Sequence, residues 1–160
     1  MKIPWLESNY VFYKEKIDNN ILFNSVIFQG YDDVGKFELA LDIALYYVKQ
    51  SSVEESIDKI FIIKKEDGAK NIKIDQVREV TKKLHLTSNR KVVIIKNAHD
   101  LNNNSSNALL KIIEEPTKNL IFLMTCNDVS KLLPTIKSRS QISKCSYQNF
   151  KNNEILKNYN

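Results

Sequence analysis

Ser25-Val-Ile-Phe-Gln-Gly30-Tyr-Asp-Asp-Val-Gly35-Lys36-Phe37 opens as a short apolar run, turns at two glycines and leads into a stretch of helical period. Ser25–Phe28 reads as a strand ending at Gln29-Gly30. Phe37, Ala40, Leu41, Ala44, Leu45 and Val48 recur at helical spacing, which predicts a helix over 36–49 with one buried face. Strand, glycine turn and helix in that order are the context in which phosphate-loop spacing counts. Gly30 and Gly35 let the backbone turn and aim N–H groups at phosphate, with Lys36 as counter-charge. Two features argue against a working site. Phe37 stands where a Ser or Thr hydroxyl would hold Mg²⁺, and Asp32 and Asp33 put negative charge where a triphosphate would lie. The stretch therefore predicts a loop that kept its shape and lost its nucleotide.

The same alternation continues along the chain. Lys59–Ile63 reads as a second strand, and Ile74, Val77, Val80 and Leu84 mark a helix with Asp75 in its first turn. Val92–Ile95 is an apolar run suited to a strand buried on both faces. Residues 103–114 form a helix with Leu109, Ile112 and Ile113 inward, stopped by Pro116. Leu120–Met124 is a fourth strand and Gln141–Cys145 a short fifth. This pattern predicts an α/β fold, a five-stranded, mainly parallel sheet with helices on both faces. Residues 1–20 read as a leading helix whose aromatic residues assign no face. Residues 1–147 read as one domain, and 148–160 as the start of a lid or linker that the chain does not finish.

In open parallel sheets chemistry gathers at the carboxyl ends of the strands. The run Ile94-Ile-Lys-Asn-Ala-His-Asp100 is the second such end. A nucleotide hydrolase wants acids here, to hold the metal and activate water. Lys96 and Asn97 stand in their place, and a lysine competes with a metal ion. His99 reads as a hydrogen-bonded boundary residue, and Asp100 as the start of the next helix.

Composition bounds the rest. Hydrophobic residues are 42% and charged residues 27% of 160, the balance of a globular chain. No apolar run approaches the roughly 18 residues that cross a bilayer, and acid follows the N-terminus too closely for a secretory signal. A cytoplasmic protein is expected, without a membrane partner. Cys126 and Cys145 make neither a disulfide framework nor a zinc pattern, so no structural metal is expected. The net charge of +5 lends weak support to DNA nearby, because the lysines are spread along the chain.

A second segment narrows the field. Asn107-Ala-Leu-Leu-Lys-Ile-Ile-Glu-Glu-Pro116 precedes a buried strand, then Thr125-Cys-Asn127, then Lys131-Leu-Leu-Pro-Thr-Ile-Lys-Ser-Arg-Ser-Gln141. This closely resembles clamp-loader subunits of the AAA+ class, in which a helix ending Leu-Glu-Glu-Pro precedes the sensor strand and a Ser-Arg-Cys motif. The resemblance covers roughly residues 25–147 and implies a RecA-like, P-loop NTPase-type domain. It implies work in a pentameric ring that opens a sliding clamp and loads it on primed DNA. Loss of the phosphate-loop hydroxyl and of the acids at Lys96 and Asn97 is the pattern of the δ′ type of DNA polymerase III, which typically does not hydrolyse ATP.

The resemblance further implies partners: γ/τ-type ATPase subunits and a δ subunit. It implies that Arg139, with Ser138 before it, projects into the neighbour's ATP site and acts there in trans. A guanidinium suits this, being always charged and able to grip two phosphate oxygens. Ser140 replaces the cysteine of the motif. Asn127 matches the family's sensor position, reduced here to a hydrogen bond at the strand end. Glu114 and Glu115 oppose the helix dipole at a cost of roughly 0.3–1 kcal/mol each if exposed, which calls for cationic partners within the fold or across an interface. Residues 49–58 are too short for the zinc module of many relatives, and neither lid nor collar fits after Tyr147. No bound ATP, Mg²⁺ or Zn²⁺ is expected. Two other readings stand beside this one: an active γ/τ-like ATPase with unusual ligands, and a stand-alone P-loop protein that binds DNA through its lysines.

Overall fold

The computed structural model describes residues 3–84 and 90–147. A 3-10 turn at Pro4–Leu6 leads into α1 (Glu7–Asp18), followed by β1 (Ser25–Gln29) and α2 (Lys36–Val48). Next come β2 (Ile60–Ile63), α3 (Ile74–Leu84), β3 (Lys91–Ile95) and α4 (Asn103–Glu114). The chain continues through β4 (Leu120–Cys126), α5 (Pro134–Ser138) and β5 (Gln141–Lys144). The sheet order is β2-β3-β4-β1-β5 and every pairing is parallel, so the sheet is more regular than the mainly parallel one expected. Residues 148–160, read above as the start of a lid or linker, lie outside the described residues.

Side chains alternate across the sheet, as the two-residue period of a strand requires. Val26, Phe28, Val92, Ile94, Ile121 and Leu123 point to one face, which α1 and α2 cover. Ile27, Val93, Ile95, Phe122 and Met124 point to the other, beneath α3, α4 and α5. β3 and β4 are buried along their whole length, whereas the edge strands are not: Ile62 is 38% exposed on β2 and Ile142 is 41% exposed on β5.

Three details differ from the sequence reading. The buried face of α2 runs through Leu39, Ala40, Ile43, Ala44, Tyr47 and Val48. Phe37, Leu41 and Leu45 lie on its flank, only partly buried, because the stripe is set by the i, i+3, i+4 pattern from Lys36. On α4 the inward residues are Ser105, Ser106, Leu109 and Ile113, while Ile112 lines a cleft against α3. The leading helix does have a face, with Tyr13 and Ile17 buried and Tyr13 stacked edge-on to Phe28 at 5.3 Å.

Asp100 does not start α4. It sits in a 3-10 turn with its carboxylate 3.4 Å from Lys65, and Asn102 is the cap, accepting the Ser105 N–H at 2.9 Å. Asn102 has the extended backbone that a cap requires, and Asp100 lies too far upstream to reach the free N–H groups of the first turn. Asn102→Ala is expected to lower the unfolding free energy by about 1 kcal/mol, and Asp100→Ala by no more than about 0.5 kcal/mol. Urea denaturation of the two variants checks the order.

Candidate functional site

β1 ends between β4 and β5, and its end becomes the loop. The Gly30 N–H donates to the Cys126 carbonyl at 3.1 Å, and the Cys145 N–H to the Gln29 carbonyl at 2.7 Å. A methyl group at Gly30 would run into the Cys145 carbonyl oxygen. Gly35 takes φ of 87°, in the left-handed region, to start α2. Each glycine thus stands where a side chain would clash or strain the backbone.

Several of the loop's polar groups are paired with the protein's own groups. The buried Lys36 ammonium donates to the Gly30 carbonyl at 2.8 Å and to the Tyr31 carbonyl, and burial lowers its pKa. Asp32 accepts a hydrogen bond from the Asn127 amide at 2.8 Å, joining the sensor-like position to the loop. The Lys96 ammonium lies 5.0 Å over the Phe37 ring, a cation–π contact at the place where a divalent ion would need oxygen ligands. Asn97 takes a left-handed backbone (φ 57°) and donates its N–H to the Thr125 hydroxyl at 2.8 Å. Ile3, Asp32, Asp33, Lys36, Phe37 and Lys96 line the cleft that results. A phenyl ring beneath an ammonium does not fit Mg²⁺.

Sequence reasoning missed the groups that hold the loop from outside. The Trp5 indole N–H donates to the Val34 carbonyl at 2.9 Å, the Tyr147 hydroxyl to the Asp33 carbonyl at 3.0 Å, and the two rings lie 5.1 Å apart. Both are far from the loop in sequence, and no periodicity announces them. His99 was read as hydrogen-bonded, yet its Nδ1 is buried with no partner. Cys126 and Cys145 are free, buried thiols, and burial pushes Cys145 up to about 12, so it stays protonated. Among the described residues no three His, Cys, Asp or Glu side chains converge on a metal position, and no helix is long and apolar enough to cross a membrane.

Arg139 stands elsewhere. Its Nη2 is 2.9 Å from Glu114 Oε1, and its Nη1 donates to the Thr135 carbonyl and the Ser138 hydroxyl. Glu114 thus finds its cation within the fold, and both side chains are 40% exposed. Glu115 is exposed beside them, and with Phe23, Asn24 and Pro116 they border a cleft of about 690 Å³. Ser140, at the position of the motif's cysteine, shares a 2.7 Å hydrogen bond with Ser25. That bond ties the arginine to the start of β1, whereas the phosphate loop leaves its end. At about 3.3 Å per residue, the length of β1 separates the two by roughly 15 Å.

Residues 6–149 match the family model described as DNA polymerase III, delta subunit. The chain belongs to that family. It carries a domain of the δ′/γ clamp-loader type, with an α/β P-loop NTPase fold. Over 88 residues it is 40% identical to the DNA polymerase III subunit delta′ of Pseudomonas aeruginosa, spanning 53% of this chain and 27% of that protein. Over 76 residues it is 37% identical to the DNA polymerase III subunit gamma of Buchnera aphidicola, spanning 46% of this chain and 21% of that one. A crystal structure of a DNA polymerase III gamma subunit-related protein from Thermotoga maritima superposes with a TM-score of 0.74 at 25% identity, covering 86% of this chain and 45% of that one. The chain spans less than half the length of each of these relatives.

Gly30→Ala is expected to destabilise the domain by about 1–3 kcal/mol, since the obstacle is backbone and cannot swing aside. A thermal melt within error of the unmutated protein would show that β5 can yield.

Proposed function

We propose that this chain is the δ′-type, non-hydrolysing subunit of a bacterial DNA polymerase III clamp loader, lending Arg139 in trans to a neighbouring ATPase subunit. The relatives carry both delta′ and gamma names, so the finer assignment rests on Phe37, Lys96 and Asn97. One observation carries the trans role: the exposed arginine of the Ser138-Arg139 segment lies at the end of β1 opposite the chain's own phosphate loop. At that distance the arginine cannot serve its own loop, and its exposure leaves it open to a neighbour. Residues 1–147 are the αβ domain in this reading. The lid and collar belong to a longer product, and the protein works in the cytoplasm with γ/τ-type subunits, a δ subunit, the sliding clamp and primed DNA. ATP, Mg²⁺ and Zn²⁺ are not cofactors of this chain.

Pairing of the loop's lysine and aspartate within the chain supports the loss of nucleotide. Entry of a triphosphate would have to displace Lys36 from two carbonyls and Asp32 from Asn127, then desolvate beside Asp33. Calorimetry of the chain with Mg-ATP is expected to give no micromolar binding, and Phe37→Thr is expected not to restore hydrolysis, because Lys96 remains. Turnover by that single variant would return the chain to the ATPase class.

A second reading has its own observation. Arg78, Lys82 and Lys111 border a cleft between α3 and α4 with Asn104 and Asn107, a basic rim suited to phosphate oxygens. Direct DNA contact there would give the isolated chain an affinity that falls steeply with salt.

In the assembled complex, Arg139→Ala is expected to leave assembly intact and remove part of the ATPase rate, since arginines given in trans are worth about 10³–10⁵ at the site they serve. Arg139→Lys is expected to rescue poorly, because an ammonium cannot make the two-pronged contact. Steady-state ATPase with primed DNA and clamp is the measurement.

A further inference from the structure

We propose that Glu114 is the resting partner of Arg139, a positioning residue from which a neighbouring subunit's phosphates must win the arginine. This rests on the trans role proposed above and names how that role is regulated.

A guanidinium grips phosphate with its two terminal nitrogens in parallel. In this chain both are already engaged: Nη2 with Glu114 Oε1 at 2.9 Å, and Nη1 with the Thr135 carbonyl at 3.2 Å and the Ser138 hydroxyl at 3.3 Å. These bonds differ in kind. Thr135 and Ser138 belong to the turn that carries Arg139, so they travel with it, and they are neutral and long. Glu114 comes from another helix, is charged and makes the shortest contact. It also ends α4, where the negative end of the helix dipole adds to the hold on a cation.

The pair is open to exchange. Both side chains are 40% exposed, and they border an open cleft of about 690 Å³. An exposed ion pair biases an equilibrium by a factor of about 1.5–5. That is enough to keep the arginine parked when no phosphate faces it and too little to hold it when one does. One carboxylate gives way to one phosphate, and the guanidinium stays charged and paired in both states.

ATP titrations of the assembled complex containing the full-length chain test the latch. Glu114→Gln keeps size and removes the charge. It is expected to lower the half-saturating ATP concentration about two- to five-fold, with the maximal rate little changed. Raising the ionic strength is expected to narrow that difference, because screening weakens the parked pair. Glu114→Asp keeps the charge but loses reach, and is expected to behave as Glu114→Gln. In an Arg139→Ala background, Glu114→Gln is expected to have no further effect, the cycle that isolates the pair. An unchanged half-saturation point in Glu114→Gln, or the same shift without Arg139, overturns the latch. If Arg139→Ala itself hydrolyses ATP at the unmutated rate, the trans role falls and the latch with it.

Discussion

Two backbone hydrogen bonds end β4, β1 and β5 at one level, Gly30 N–H to the Cys126 carbonyl and Cys145 N–H to the Gln29 carbonyl. They hold β1 between β4 and β5 up to its last residue, so the loop after it emerges against Asn127 on one side and Cys145 on the other. Everything at that end of the sheet follows. The Gly30 α-carbon has no room for a side chain, Lys36 turns back onto the loop carbonyls, and Asn127 reaches Asp32. The same pairing puts Ser25, at the start of β1, within reach of Ser140 and so anchors the arginine segment at the opposite end.

The two ends solve their electrostatics differently. At the loop end three charges are met by neutral groups of the chain: an ammonium on two carbonyls, a carboxylate on an amide, a second ammonium on an aromatic face. Lys36 is buried, so pulling its ammonium off the two carbonyls would leave it unpaired out of water, whereas Asp32 and Lys96 stay exposed. At the arginine end the ion pair is half open to solvent, where breaking it costs little. A loop lysine held on its own carbonyls and an arginine held loosely at the surface are the features on which the proposed action on a neighbour rests.

Much of this was legible in the residues. The run Val92–Ile95 had to be a strand covered on both faces, since no solvent-facing position interrupts it, and β3 is buried throughout. The loop's departures were also local facts: whatever the fold, Phe37 offers no hydroxyl and Lys96 no carboxylate. Other features were hidden because they depend on which face an element turns inward. Leu41 and Leu45 share a helical stripe with Phe37 in sequence, but the sheet selects the adjacent stripe through Leu39, Ile43 and Tyr47. Asp100 looked like a cap because aspartate often is one, whereas the backbone put Asn102 at that position.

The sequence by itself determined the order of strands and helices, the glycine turn after β1 and the presence of Phe37 and Lys96 beside it, because each depends on residue type within a short window. Only the tertiary structure decided what fills the loop and where the arginine points. Trp5 and Tyr147 meet over Asp33 and Val34, and Lys96 lies on Phe37, because parallel pairing brings the ends of separate strands together. Glu114 and Arg139 lie 25 positions apart by their numbers and meet because β4, α5 and the Ser25–Ser140 contact fold the second back beside the end of α4. Such contacts carry no periodic signal; they are made by the packing of the sheet.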